Sequence, residues 1–248
     1  MYEERPALFD GAVLWSRTAV PDEGPVRAVL PDGCMDLIWA DGHLMVAGPD
    51  TRAYVPGETA ARYAGIRFAP GDAPRFLGVP AHELRDRRID LGALWGGAEA
   101  RRLGERITAA PDPATALDTL VRVRAADAPA PDPLLRTVVA RLGAGRAVAE
   151  TADEVGLGAR QLHRRSLDAF GYGAKTLARV LRLQRALALV RAGVPYAEAA
   201  VRAGCADQAH LARETRALAG TTLGAYAASL PESAKSDTPD PSGSRTTA

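Results

Sequence analysis

The sequence predicts an α+β protein in two parts. Residues 1–128 read as a small antiparallel β-sheet or partial barrel with helices, and residues 129–230 as an all-α tandem helix-turn-helix domain joined by a long helix. Three observations carry this expectation. A short design occurs twice in the C-terminal half. An apolar run, Asp41-Gly42 and a second apolar run mark a hairpin in the N-terminal half. Between the halves, AADAPAPDP (Ala125 to Pro133) reads as a stiff, Pro-rich linker.

The first copy of the repeat is Ala152-Asp153-Glu154-Val155-Gly156, followed by Arg160, Leu162, Arg164 and Phe170-Gly171. The second is Ala200-Val201-Arg202-Ala203-Gly204, followed by Gln208, Leu211, Arg213 and Ala219-Gly220. Ala152 and Ala200 are 48 apart, whereas Leu162/Leu211, Arg164/Arg213 and Gly171/Gly220 are 49 apart, so the extra residue lies in the second turn. A small residue lets two helices approach closely, and Gly tolerates the left-handed conformation at a helix end. Pro133–Leu142 is expected as a first helix stopped by Gly143, and Ala147–Val155 as a scaffold helix with Val148, Thr151, Ala152 and Val155 inside. Ala159–Phe170 is the first groove helix. Leu162, Ser166 and Phe170 face inward at a spacing of four, leaving Arg160, Gln161, His163 and Arg164 outside. Gly173–Arg191 connects the copies, with Leu177, Val180, Leu181, Leu187 and Val190 as its apolar stripe and Lys175, Arg179, Arg182 and Arg185 on the remainder. Pro195-Tyr196 opens the second scaffold helix. Asp207 N-caps a second groove helix that buries Leu211 and Leu218 and presents Gln208, Ala209, His210, Ala212 and Arg213.

In the N-terminal half, Val26–Leu30, Met35–Ala40, His43–Ala47, Ala53–Val55 and Tyr63–Phe68 read as strands, bounded by Pro31-Asp32-Gly33, Asp41-Gly42, Gly48-Pro49 and Pro70-Gly71. Helical texture follows in Asp72–Leu77, Leu91–Trp95, Ala98–Ala109 and Pro113–Arg124, the last opened by proline. The segment from Pro231, rich in Pro, Ser and Thr, reads as a disordered tail over 231–248.

Charge divides the chain. Residues 1–131 hold 15 Arg against 19 acids, a balance of −4, whereas residues 132–230 hold 14 basic and 8 acidic residues, a balance of +6. From Gly156 to Arg191, eight basic residues face only Asp168. A solvated helix face explains such a run by itself; coupled to tandem helix-turn-helix units, it points to nucleic acid. No catalytic residue is expected. Ser16 is the only serine before Ser166, no phosphate-cradling Gly-rich loop is present, and Gly96-Gly97 reads as a helix C-cap. Neither a cofactor nor a metal is expected, since His43 and His82 lack ligand spacing. Asp32 and Asp36 are expected to serve their turn, and Cys34 to be a small buried residue. Trp39, His43, Tyr63 and Phe68 are the candidates to line a ligand cavity, with core packing the alternative. Two cysteines build no disulfide framework, the start Met-Tyr-Glu-Glu-Arg lacks a signal-peptide pattern, and no apolar run suits a membrane. A cytoplasmic, nucleoid-associated setting is expected.

"GARQLHRR", "FGYGAKTLARVLRLQRAL" and "AGCADQAHLARETRALAGTTL" together resemble the AraC/XylS family of bacterial transcription regulators, over roughly Asp132 to Ser229. "LPDGCMDLIWADGHLMVAGPDT" and "GIRFAPGDAPRFLGVPAHELRDR" look like the sensor-type domain of one actinobacterial branch of that family. The sequence departs from the family at Ser166 and Thr215, where an apolar residue is usual, at Cys205, which replaces an aromatic, and at Ala174 and Leu223, where proline is frequent. Because Ser166 and Thr215 changed alike, they read as small residues accepted at a tight contact.

The resemblance implies a sequence-specific transcription regulator reading two successive major-groove segments of double-stranded DNA. Its N-terminal half would sense a small-molecule effector or dimerise, and RNA polymerase is a further implied partner. The residues expected at DNA are Arg160, Gln161, His163 and Arg164, then Gln208, Ala209, His210 and Arg213, with Lys175 and Arg179 at phosphates. For Arg164 and Arg213, pinning of the scaffold helix is the competing role, and for Arg182 and Arg185 a solvated face is expected. Two alternatives stand beside this: an alkyl-transfer repair enzyme using Cys34, and a DNA-binding protein with a purely structural N-terminal half.

Overall fold

A computed structural model describes residues 2–19, 28–57 and 61–229. By internal contacts these form two compact units, one ending at Leu181 and the other beginning at Arg182.

The first unit is built on an unclosed antiparallel sheet. Its described strands are β1 (Tyr2–Pro6), β2 (Val13–Thr18), β3 (Met35–Ala40), β4 (His43–Ala47), β5 (Arg62–Phe68) and β6 (Arg88–Asp90), in the order β1-β2-β5-β3-β4-β6. The β3–β4 hairpin pairs Ala40 with His43, and its turn places Asp41 at φ 43° and Gly42 at φ 101°. Successive positive φ values match the right-handed twist of the strands, which is why Asp-Gly signalled this turn. The Asp41 carboxylate also accepts from the Ala61 and Arg62 amides, fastening the turn to β5.

Three strands escaped the sequence reading. β1 is exposed along its length, and β6 has three residues, so neither carries apolar alternation. β2 alternates, but Trp15 and Arg17 occupy its less buried face and Ser16 interrupts the other. Conversely, Val26–Leu30 and Ala53–Val55 are not strands in their described parts. They contribute one isolated bridge, Val29 to Tyr54, and Val26 and Arg27 lie outside the described residues. Prolines at 31 and 56 leave no amide with which to extend that bridge. The segment read as a tail also lies outside the described residues.

Helices α1 (Ala73–Leu77), α2 (Ala81–Leu84), α3 (Gly92–Trp95), α4 (Gly97–Thr108) and α5 (Pro113–Ala125) follow. Leu103, Ile107, Leu117 and Val121 of α4 and α5 join Leu14, Leu37, Trp39, Val46, Ile66 and Phe68 of the sheet in one core. Polar anchors hold this layer. Trp39 Nε1 donates to Thr108 Oγ1 at 3.1 Å, and the buried Asp118 carboxylate accepts from the Leu8 and Phe9 amides at 3.0 and 3.3 Å. Asp112 caps α5 and receives Arg5 from β1 at 2.8 Å.

The C-terminal half comprises α6 (Pro133–Gly143), α7 (Val148–Glu154), α8 (Ala159–Phe170), α9 (Ala174–Arg191), α10 (Tyr196–Arg202), α11 (Gln208–Ala219) and α12 (Leu223–Ala228). α6 ends at Gly143, one residue beyond the expected Leu142, and the left-handed residue that follows it is Gly145, at φ 87°. The first unit contains the sheet together with α6–α8 and the beginning of α9. The second holds the end of α9 with α10–α12.

Candidate nucleic-acid interface

In the first copy, α7 turns into α8 through Gly156 at φ 66°, with Leu157 N donating to Ala152 O at 2.9 Å. Thr151 and Ala152 of α7 are buried, as are Leu162, Ser166, Ala169 and Phe170 of α8. Period 3.6 then leaves Arg160, Gln161, Arg164 and Arg165 exposed on the outer face. Arg165 pairs with Asp132 at 3.5 Å. Gln161 Oε1 accepts from Gly158 N at 3.2 Å, which closes the first turn of α8. His163 is exposed but leans on the chain ahead of α9: a Cβ built on Gly173 would lie 2.7 Å from its Nδ1. Lys175 is exposed in the first turn of α9, while Arg179 is half-buried and engaged.

The C-terminal end of α8 is seated on the N-terminal half. Gly171, at φ 79°, would place a Cβ 2.5 Å from Pro49 Cγ and 3.2 Å from Ala81 O. Arg85 Nη1 donates to Gly171 O at 3.3 Å, and His82 lies 3.4 Å from Asp168. Arg136 of α6 bridges Asp10 at 3.0 Å and Asp72 at 3.5 Å.

The second copy repeats the plan. Its turn carries Gly204 at φ 85°, and buried Cys205 donates its amide to Ala200 O at 2.8 Å, as Leu157 does in the first. Asp207 caps α11 by accepting from His210 N at 2.6 Å. His210 Nδ1 in turn accepts from Ala206 N at 3.3 Å, which puts the proton of the neutral imidazole on Nε2. Gln208, Ala209, Ala212 and Arg213 are exposed, His210 is half-buried, and Leu211, Thr215, Leu218 and Ala219 are buried. Arg164 and Arg213 make no ion pair among the described residues, so neither pins a scaffold helix by a salt bridge.

Arg182 and Arg185 are struts, contrary to the expected solvated face. Arg182 reaches Glu214 at 3.4 Å, and Arg185 Nη2 donates to Ala203 O at 2.8 Å. Helical spacing placed them outside the apolar stripe but carried no sign that α10 and α11 pack there. Burial and the neighbouring Arg182 hold the Arg185 guanidinium below its ordinary pKa. Ser166 and Thr215 are fully buried, as a tight contact requires. Thr215 Oγ1 donates to Leu211 O at 2.9 Å, whereas the Ser166 hydroxyl has no partner among the described residues.

The four N-terminal ligand candidates do not converge. Trp39 and Phe68 lie on the core face of the sheet at 1% exposure each, while His43 and Tyr63 both oppose Ala40 on the other face. Strand period two separates them. That second face carries half-buried Trp15, Ile38, Met45 and Tyr63, with Trp15 packed flat on Gly65, where a Cβ would come within 2.2 Å of the indole. Of the two carboxylates near the hairpin, Asp32 serves its turn by accepting from Cys34 N at 2.8 Å. Asp36 does not: it accepts from Trp15 Nε1 at 2.6 Å and lies 3.5 Å from Arg67. Burial raises the Cys34 thiol well above its ordinary pKa, keeping it in the less nucleophilic form. Among the described residues no three His, Cys, Asp or Glu side chains cluster to hold a metal, and no helix is long and apolar enough to cross a membrane.

Two short helix pairs of one design, each with a polar, basic outer helix over an apolar seam, define a helix-turn-helix DNA-binding protein. The family comparisons agree: the model of a helix-turn-helix domain matches residues 151–229, and that of a domain of unknown function (DUF6597) matches residues 12–90. The helix-turn-helix match is of AraC type, the type of domain found in DNA-binding transcription regulators. No curated protein sequence matches the chain. Among solved structures it is similar to ToxT from Vibrio cholerae O395, at 8% identity and a TM-score of 0.44, covering 87% of this chain and 96% of that one. A structure of ToxT bound to (E)-4-(8-methylnaphthalen-1-yl)but-3-enoic acid is similar at 8% identity and a TM-score of 0.44, covering 91% of this chain and 98% of that one.

Proposed function

We propose that residues 129–230 are the DNA-binding domain and that α8 and α11 each read a major-groove segment, the two segments being successive. One observation carries the reading. At equivalent positions of the two copies, a buried Leu and a buried hydroxyl residue (Leu162 and Ser166, Leu211 and Thr215) lock the groove helix, while an exposed Arg (Arg164, Arg213) stands on its outer face. Arginine recognises guanine through O6 and N7, and glutamine recognises adenine through N6 and N7. Arg160, Gln161 and Arg164 are the base-reading candidates of α8, with Gln208 and Ala209 those of α11, and Arg213 stands beside them at the DNA backbone. His163 and His210 face DNA beside them, each restrained by its own turn. Lys175 and Arg179 grip phosphate.

We further propose that the N-terminal half is regulatory, sensing an effector or mediating self-association. Its grip on the end of α8, through Pro49, Ala81, His82 and Arg85, supports this, because a shift there moves a groove helix directly. The test of DNA reading uses a duplex selected from a random pool by the full-length protein. Arg160→Ala and Gln208→Ala are each expected to weaken it by about 1–3 kcal/mol per lost base contact, while binding to scrambled duplex changes less. Unaltered site preference in both variants would overturn the orientation of the groove helices.

A further inference from the structure

The two copies differ in what occupies the space between the groove helix and the helix after it. In the first copy the His163 imidazole fills that space, lying against Gly173, which has no side chain to oppose it. Forty-nine residues on, the equivalent positions are Ala212 and Thr222. Alanine cannot reach across, and between α11 and α12 a cleft of about 370 Å³ opens, lined by Ala212, Arg213, Arg216, Ala217, Thr222 and Leu223. Arg213 and Arg216 are exposed one helical turn apart, and neither has an ion pair or hydrogen bond among the described residues. The first copy carries Leu167 and Asp168 where the second carries Arg216 and Ala217, and Asp168 is the residue facing His82. Relative to the first copy, the second therefore lacks an imidazole plug and a carboxylate, and has an added guanidinium.

We infer that this cleft binds a backbone phosphodiester of DNA between Arg213 and Arg216. The inference rests on the proposed DNA-reading role and adds Arg216 to it. Two guanidinium groups at this spacing repel each other in the free protein, and a phosphate between them turns that cost into two charge-assisted interactions of matched fork geometry. Ala212 and Ala217 keep the cleft low enough for a sugar–phosphate strand. The Thr222 hydroxyl accepts from the Ala225 amide at 3.1 Å and keeps its own proton to donate to a phosphate oxygen beside the arginines. A contact of this kind sets the register of α11 on the duplex without reading sequence.

The test compares full-length wild type with Arg216→Gln and with Ala212→His/Thr222→Gly, which rebuilds the plug of the first copy. Fluorescence anisotropy across a salt series measures binding to the selected duplex and to a scrambled one, after thermal unfolding has shown both variants folded. Arg216→Gln is expected to weaken both duplexes by the same factor and to reduce the slope of log K against log salt by about 1. The plugged variant is expected to move in the same direction. An unchanged slope in Arg216→Gln overturns the inference, as does a loss confined to the selected duplex, which would make Arg216 a base reader. DNA binding intact in both variants also overturns it. Failure of the underlying reading looks different: wild type itself would show no salt-dependent binding to either duplex.

Discussion

Single residues set the tolerance of the two groove helices unequally. Ser166 and Thr215 occupy equivalent buried positions, yet only Thr215 satisfies its hydroxyl, through Leu211 O. A buried hydroxyl without a partner forfeits its hydration and recovers nothing. Ser166→Ala is therefore expected to raise the unfolding free energy by about 1 kcal/mol, whereas Thr215→Val, which removes a made bond of similar size, is expected to lower it by about as much. Urea denaturation of the two variants checks the contrast; equal effects of one sign would refute it. A second buried polar group makes stability depend on pH. Burial pushes the Asp36 carboxyl up from 3.8 to about 6, partly offset by Arg67 and reinforced by Asp32. Trp15, which donates to Asp36, and the more distant Arg88 complete its charged and polar surroundings. Because the folded value exceeds the unfolded one, this group's stabilisation is complete below pH 4 and is lost as pH rises through about 6. Asp72 is raised by burial with the same sign, so the check is a difference. Asp36→Asn is expected to flatten the fall in unfolding free energy between pH 4 and 6 relative to wild type, and an unchanged profile would count against it.

At the scale of elements, α8 has two ends with different duties. Its first half offers Arg160, Gln161 and Arg164 to the outside, and its last turn is fastened to Pro49, Ala81 and Arg85. Gly171 makes that seat work twice, by adopting φ 79° and by leaving room for Pro49. Gly171→Ala meets both obstacles. It is expected to cost more than the roughly 1 kcal/mol of a strained left-handed alanine alone, read as a lower urea midpoint with an unchanged m-value. A neutral substitution would mean that α8 is not seated as described. The corresponding Gly220 of α11, at φ 65°, meets nothing within 4 Å, so Gly220→Ala serves as the control for strain without collision.

For the whole molecule, charge separation is the governing property. The +6 balance of residues 132–230 belongs to the helical half, and the −4 balance of residues 1–131 to the half that carries the sheet. If about five of the basic candidates meet phosphates, log K is expected to fall with log salt at a slope of about −4.5, since each neutralised phosphate contributes about −0.9. A flat plot for the full-length protein would remove phosphate engagement, and with it the electrostatic part of the reading.

The repeat, both groove helices and the Asp41-Gly42 hairpin were legible because each depends on local chemistry. Helical period exposes Arg160 and Arg213, Asp207 caps its own helix, and positive φ demands particular residues at a turn. Strands β1 and β6 were not legible, because an exposed or very short edge strand is stabilised by its neighbour and leaves no pattern of its own. The same holds for the struts Arg182 and Arg185, the seat of α8 on Pro49 and Ala81, and the scattering of Trp39, His43, Tyr63 and Phe68 over two faces. By itself the sequence determined which segments form helices and which sides of them are polar, since propensity and periodicity act within a few residues. Tertiary structure alone decided which of those polar side chains become struts, as Arg182 and Arg185 do, because that depends on the partner surface each helix meets.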